Sequence, residues 1–146
     1  MRIEIGGGLK PALVGDDVVQ FDPVHGKGPW RRPAQVRPWP TSDESAELVY
    51  ASHVLEHIPA GKPRIDVFNE AHRVLTAGGV FHIIVPRFPH WTAVADPTHV
   101  SFFVRESFDY FTGDYGADAD YGMKRWQRVY RIVEEEQIDV LLKPIK

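Results

Sequence analysis

Cysteine is absent from the 146-residue chain. That removes disulfides, thiolate metal sites and any cysteine nucleophile, and it accords with a reducing compartment. No apolar run approaches the roughly 20 residues that a membrane helix needs. The N-terminus lacks a basic stretch followed by an apolar one, because Met1-Arg2-Ile3-Glu4-Ile5 enters a strand-like pattern at once. No secretion signal is read there, and a cytoplasmic protein with no membrane partner is expected. Excess positive charge is also missing. With 17 Lys and Arg against 20 Asp and Glu, the net charge of −3 gives no footprint for nonspecific nucleic-acid binding. One local basic cluster, Lys27, Arg31, Arg32 and Arg37, reads either as a solvated loop balancing acidic neighbours or as a seat for an anionic substrate.

What is present suffices for an ordinary core: 43% hydrophobic, 12% aromatic and 25% charged residues. The length predicts one domain over residues 1–146, with no separate substrate domain. Ile3-Glu4-Ile5 followed by Gly6-Gly7-Gly8 reads as a short strand ending in a tight turn. Residues 17–23 read as a second strand stopped by Asp22-Pro23, and residues 23–45 as loop with at most one short strand near Val36. Ala46 to Ser52 has the length and apolarity of a buried parallel strand. Apolar spacing predicts a helix over Lys62 to Thr76, stopped by Gly78-Gly79, then a strand from Val80 to Val85. Arg105 to Phe111 could form a short helix, and Trp126–Val133 with Gln137–Leu142 reads as an antiparallel hairpin. The class is α/β, with a mostly parallel sheet and a closing hairpin.

Ligands of such sheets bind beyond the carboxyl ends of the strands, where strand order reverses. The ends here are Gly6-Gly7-Gly8, Asp22, Ser52-His53 and Pro86-Arg87. Glycines let a ligand approach the backbone, and an acidic residue closing the second strand can accept hydrogen bonds from ribose hydroxyls. A dinucleotide needs G-x-G-x-x-G opening a helix, yet only nine residues separate Gly8 from Val18, too few for a comfortable helix. A nucleoside without phosphates does not need that helix.

Several ordered segments carry a resemblance. They are Glu4-Ile5-Gly6-Gly7-Gly8, Gln20-Phe21-Asp22-Pro23, Pro38-Trp39-Pro40, the long run Asp43 to His57, Glu70 to Gly79, and Asp96-Pro97-Thr98-His99 running on to Phe108. Together they resemble the small class I S-adenosylmethionine-dependent methyltransferases of the methyltransferase-domain family, in a compact branch lacking the usual first helix. The resemblance implies a minimal Rossmann-like sheet with reduced helices on one face. It implies S-adenosylmethionine as cofactor, with Glu4, Gly6, Gly7 and Gly8 around it, Asp22 on its ribose, and Ser52, His53 and Val54 facing its methionine moiety. The acidic residue that many relatives carry near the adenine has no counterpart, since Ala34 and Gln35 stand in that neighbourhood.

His53-Val54-Leu55-Glu56-His57 also reads as H-x-x-E-H, the inverted zinc-protease pattern. That chemistry needs both histidines on one helix face and a third ligand farther on. His53 directly follows a strand and Pro59 curtails any helix, so no metal is expected. For methyl transfer, His57, Asp96 and His99 are the candidate acid–base or acceptor-binding groups, each with loop ordering as its alternative role. Without cysteine, C5-pyrimidine methylation through a thiolate adduct is excluded. The exocyclic-amine D/N-P-P-Y signature is absent as well. A small-molecule or glycan acceptor is expected, with specificity in residues 87–122. A degenerate non-catalytic module and a nucleic-acid methyltransferase are the alternatives. The short links between the first strands leave one sheet face thinly covered, which predicts a homodimer or another partner over it.

Overall fold

The computed structural model describes residues 1–115 and 121–146, so part of the 87–122 segment expected to set acceptor specificity lies outside the described residues. Strands β1 (Arg2–Ile5), β2 (Val18–Phe21), β3 (Ala46–Ser52), β4 (Leu75–Pro86), β5 (Trp126–Val133) and β6 (Gln137–Pro144) form one six-stranded sheet in the order β2-β1-β3-β4-β6-β5. β2, β1, β3 and β4 run parallel, and β6 joins β4 antiparallel with β5 beyond it. The mostly parallel sheet with a closing hairpin is therefore as expected.

Side-chain alternation divides the sheet into unequal faces. On one, Ile3, Ile5, Val49, Ala51, Phe81, Ile83, Val140 and Leu142 are all buried. Helix α1 (Lys62–Val74) covers this face. Its Phe68 lies edge-on to Phe81 at 5.2 Å and stacks on Phe111 at 3.9 Å, and Trp126 meets Phe68 at 6.3 Å. On the other face, Leu48, Tyr50, Val80, His82, Ile84 and Leu141 are only half-buried. Parallel strands are usually covered on both sides. Here residues 6–17, joining β1 to β2, contain no helix to do so.

Two boundaries differ from the sequence reading. α1 ends at Val74 and β4 begins at Leu75, ahead of the predicted strand start at Val80. Gly78-Gly79 therefore lies inside β4 and does not stop a helix. Pairing jumps from Ala46–Leu75 to Leu48–Val80, and a Cβ on Gly79 would sit 3.0 Å from the Ala46 carbonyl oxygen. The glycines form a bulge that brings β4 against β3. Residues near Val36 form no strand. That segment winds instead around buried Trp39, whose indole N–H donates to the Ala34 carbonyl at 2.7 Å. Arg105–Phe108 is a 3-10 turn leading into α3 (Asp109–Thr112). Short helix α2 (Trp91–Val94) follows β4. No helix among the described residues is long and apolar enough to cross a membrane.

Candidate functional site

The chain runs from β1 outward to β2 and then back across β1 to β3, so strand order reverses at the carboxyl end of β1. A cleft of about 280 Å³ opens there. Ile5 and Gly6 line it from β1, Phe21 and Asp22 from β2, and Val54, His57 and Ile58 from the turn after β3. Pro33 to Gln35 close the remaining side.

Of the three glycines in the run, only Gly6 reaches this cleft. Gly6 has φ +83, and a Cβ there would meet Val54 Cγ2 at 3.1 Å. Gly7 makes room for protein atoms, because its Cβ would lie 2.8 Å from Glu4 Oε1. Gly8 has open space around its Cβ position. Glu4, expected beside a cofactor, is buried and spends its carboxylate on the backbone N–H groups of Ala12 and Leu13, both at 2.9 Å. It pins the loop that follows the glycines. Gln20 completes the arrangement by donating to the carbonyls of Gly6 and Gly8 at 2.9 and 2.8 Å. No motif in the sequence singles out Gln20; its place next to the acidic end of β2 is the signal that points to it.

Asp22 Oδ1 accepts the N–H groups of Val24 and His25, each at 2.7 Å, which turns the chain sharply after β2. This leaves the second carboxylate oxygen for the cleft. Beyond β3, His53 takes φ 51 and bends the chain into a 3-10 turn, Leu55–His57. Ser52 and His53 lie off the cleft, whereas Val54 and His57 line it. The predicted curtailment of any helix at this point is as observed.

Asp96 and His99 stand behind His57. The backbone N–H groups of Val100 and Ser101 donate to the Glu56 carbonyl at 2.8 and 3.1 Å. Ser101 Oγ donates to the carbonyls of Leu55 and Ile58 at 3.2 and 2.8 Å. These bonds dock the Asp96–Ser101 loop on the turn after β3 and bring the His57 and His99 rings within 4.8 Å, edge to face. Asp96 Oδ1 is held by the Thr98 N–H and hydroxyl, while Oδ2 lies 3.8 Å from His99 Nε2. Beneath the two rings is Glu56, which is buried and whose Oε2 has no hydrogen-bond partner. Burial pushes this carboxyl up to about 7, against its own backbone amide and the His99 charge. The basic cluster does not form one site. Arg37 pairs with Asp66 and Glu70, each at 3.1 Å, and Arg32 donates to the Pro38 carbonyl, while Lys27 and Arg31 are exposed.

The model of the methyltransferase-domain family matches residues 24–83, from the turn after β2 to the middle of β4. The matched segment is less than half of the chain, and the fold is the Rossmann-like one, a mostly parallel sheet with an antiparallel C-terminal hairpin. The chain is similar in structure to the YcgJ protein of Bacillus subtilis, at TM-score 0.66 and 10% identity, with 99% of this chain and 92% of that one covered. Similar too is the PH0226 protein of Pyrococcus horikoshii, at TM-score 0.57 and 11% identity over 88% of this chain; the chain spans 59% of that protein's length. A third is the geranyl diphosphate C-methyltransferase of Streptomyces coelicolor, solved with Mg2+, geranyl diphosphate and S-adenosylhomocysteine. Its TM-score is 0.55 at 9% identity, over 78% of this chain and 51% of that one. No curated protein sequence matches the chain.

Proposed function

We propose that this domain transfers a methyl group from S-adenosylmethionine to a small-molecule or glycan acceptor. The observation that carries the reading is the cleft at the strand-order reversal, with Asp22 on one rim and His57 on the other. Its chemistry suits an adenosine. Asp22 keeps a carboxylate oxygen for ribose hydroxyls, and Ile5, Ala34, Val54 and Ile58 offer an apolar bed for a base. The helix-free loop after Gly8 supplies no N-terminus for a pyrophosphate, which disfavours a dinucleotide. When bound, the sulfonium supplies an activated methyl electrophile.

The chain's own part is to align the acceptor and to hold or take its proton. His57, exposed and lining the cleft, is the acceptor-side group. Asp96 and His99 act through it as positioning residues: Asp96 holds Thr98, whose hydroxyl and carbonyl contact His57 Nδ1, and His99 packs edge to face on the His57 ring.

A second copy of the chain is proposed to cover the half-exposed sheet face. The homodimer would bury Leu48, Val80 and Leu141, which lie uncovered on parallel and adjoining strands.

Calorimetric titration with S-adenosylmethionine and S-adenosylhomocysteine tests the reading. Saturable binding to one site per chain is expected, and no heat at millimolar ligand would sink it. Binding without turnover of any hydroxyl acceptor points to a non-catalytic module. A steep salt dependence on RNA or DNA points to a nucleic-acid acceptor.

A further inference from the structure

We infer that Glu56, His57 and His99 form a binding site for a divalent first-row transition ion at the inner wall of the cleft. One ligand atom from each of the three lies within 4.8 Å of the others. His99 Nε2 lies 3.9 Å from Glu56 Oε1. The inference stands on this geometry and does not depend on the methyl-transfer reading.

Three independent features select an ion over a simple polar cluster. The first is the tautomer of each histidine. His99 Nδ1 contacts the Ala93 carbonyl at 2.9 Å, and His57 Nδ1 contacts the Thr98 carbonyl at 3.3 Å. A carbonyl only accepts, and the Thr98 hydroxyl, 3.1 Å from His57 Nδ1, gives its hydrogen to Asp96, so each Nδ1 carries a proton and each neutral ring presents its Nε2 lone pair. Metal-binding histidines are oriented in this way by their outer nitrogen.

The second feature is Glu56. It is 2% exposed, and its Oε2 has no hydrogen-bond partner. A buried carboxylate with one oxygen unpartnered is costly, and a cation beside it offsets that cost. The third is access. His57 is exposed and lines the cleft, so an ion held there keeps at least one position open toward it. Two imidazoles and one carboxylate favour Zn2+, Co2+, Fe2+ or Ni2+ over the oxygen-seeking Mg2+ and Ca2+.

Tetrahedral bonds of about 2.1 Å put ligand atoms about 3.4 Å apart. The 4.8 Å spread therefore closes with a shift of about 1.4 Å, which the exposed His57 ring can make. The H-x-x-E-H pattern thus contributes its Glu and second His from a 3-10 turn, and the third ligand arrives from the loop carrying His99.

The test is titration of the full chain with Co2+ alone, followed by visible absorption and calorimetry, with Zn2+ as competitor. One ion per chain is expected, with the weak d–d bands of nitrogen–oxygen coordination that Zn2+ bleaches. His57→Ala removes an exposed ligand without threatening the fold and should weaken binding by at least about 100-fold, the upper end of what loss of an outer partner costs. Glu56→Gln keeps the side-chain shape and should do the same, whereas His25→Ala, on the loop after β2, should bind as the parent does. Absent stoichiometric binding, or binding undiminished in both His57→Ala and Glu56→Gln, would overturn the site. Failure of S-adenosylmethionine to bind in the same preparation would count against methyl transfer alone.

Discussion

Glu70, on α1, accepts the backbone N–H of Trp39 at 2.7 Å, and both residues are buried. This bond ties the strandless segment between β2 and β3 to the helix under the sheet. Arg73 and Arg37 converge on the same carboxylate at 2.8 and 3.1 Å. Burial opposes the charge on Glu70, but the hydrogen bonds from Arg73 and the Trp39 amide outweigh it and hold the carboxyl below its usual range. Glu70→Gln should therefore cost about 2 kcal/mol. In a chain of this size that lowers Tm by about 4–8 °C in a thermal melt.

The same carboxylate makes a pH signature. A group whose folded value is depressed contributes stability that is present above its unfolded pKa, about 4.3, and lost as pH falls through the folded value. The gap in Tm between the parent and Glu70→Gln should be constant from pH 7 to 5 and narrow steadily below about 4. A gap that stays constant to pH 3 would show that the carboxylate charge does not matter to the fold.

Neighbouring glycines should respond differently to alanine. Gly7 has φ +88, and its new Cβ would crowd Glu4 Oε1 and Gln20 Nε2 at 2.8 and 3.0 Å, both atoms of engaged side chains. Gly8 has φ +55 and open space around it. Urea denaturation should find Gly7→Ala destabilised by about 2–3 kcal/mol and Gly8→Ala by about 1 kcal/mol. Equal losses would mean that conformation alone, and not the Glu4 contact, demands glycine here.

Asp22→Asn keeps an acceptor oxygen for the turn through Val24 and His25 but removes the charge offered to ribose hydroxyls. S-adenosylhomocysteine should bind at least about tenfold more weakly by calorimetry, the loss of about 1.4 kcal/mol typical of a charge-assisted hydrogen bond. Unaltered affinity would place the ribose elsewhere.

Leu141 lies half-buried on the uncovered face beside His82. At that face Asp139 accepts from the Tyr130 hydroxyl at 3.0 Å and meets His82 Nε2 at 2.9 Å. Sedimentation at micromolar concentration should give a dimer for the parent chain and a monomer for Leu141→Lys. A monomeric parent would remove the proposed pairing.

Much of this architecture could be read from local pattern. The apolar runs at Ala46–Ser52 and the hairpin at Trp126–Val133 and Gln137–Leu142 gave their strands directly, because alternation and β-branching are local properties. The short gap between Gly8 and Val18 excluded a helix, as observed. Gly78-Gly79 was misleading: two glycines after a helical period look like a stop, and only the pairing of β4 with β3 turns them into a bulge.

Short-range periodicity and spacing suffice for the order of elements, the class of fold and the acidic end of β2 near a glycine turn. Tertiary structure decided which side chains meet. It assigned Glu4 to the loop at Ala12 and Leu13, left Gly6 alone of its run on the cleft, and carried His99 across 42 residues of chain to the ring of His57. That last contact depends on Ser101 and the Glu56 carbonyl pinning a loop, a long-range hydrogen-bond pattern that no local spacing encodes.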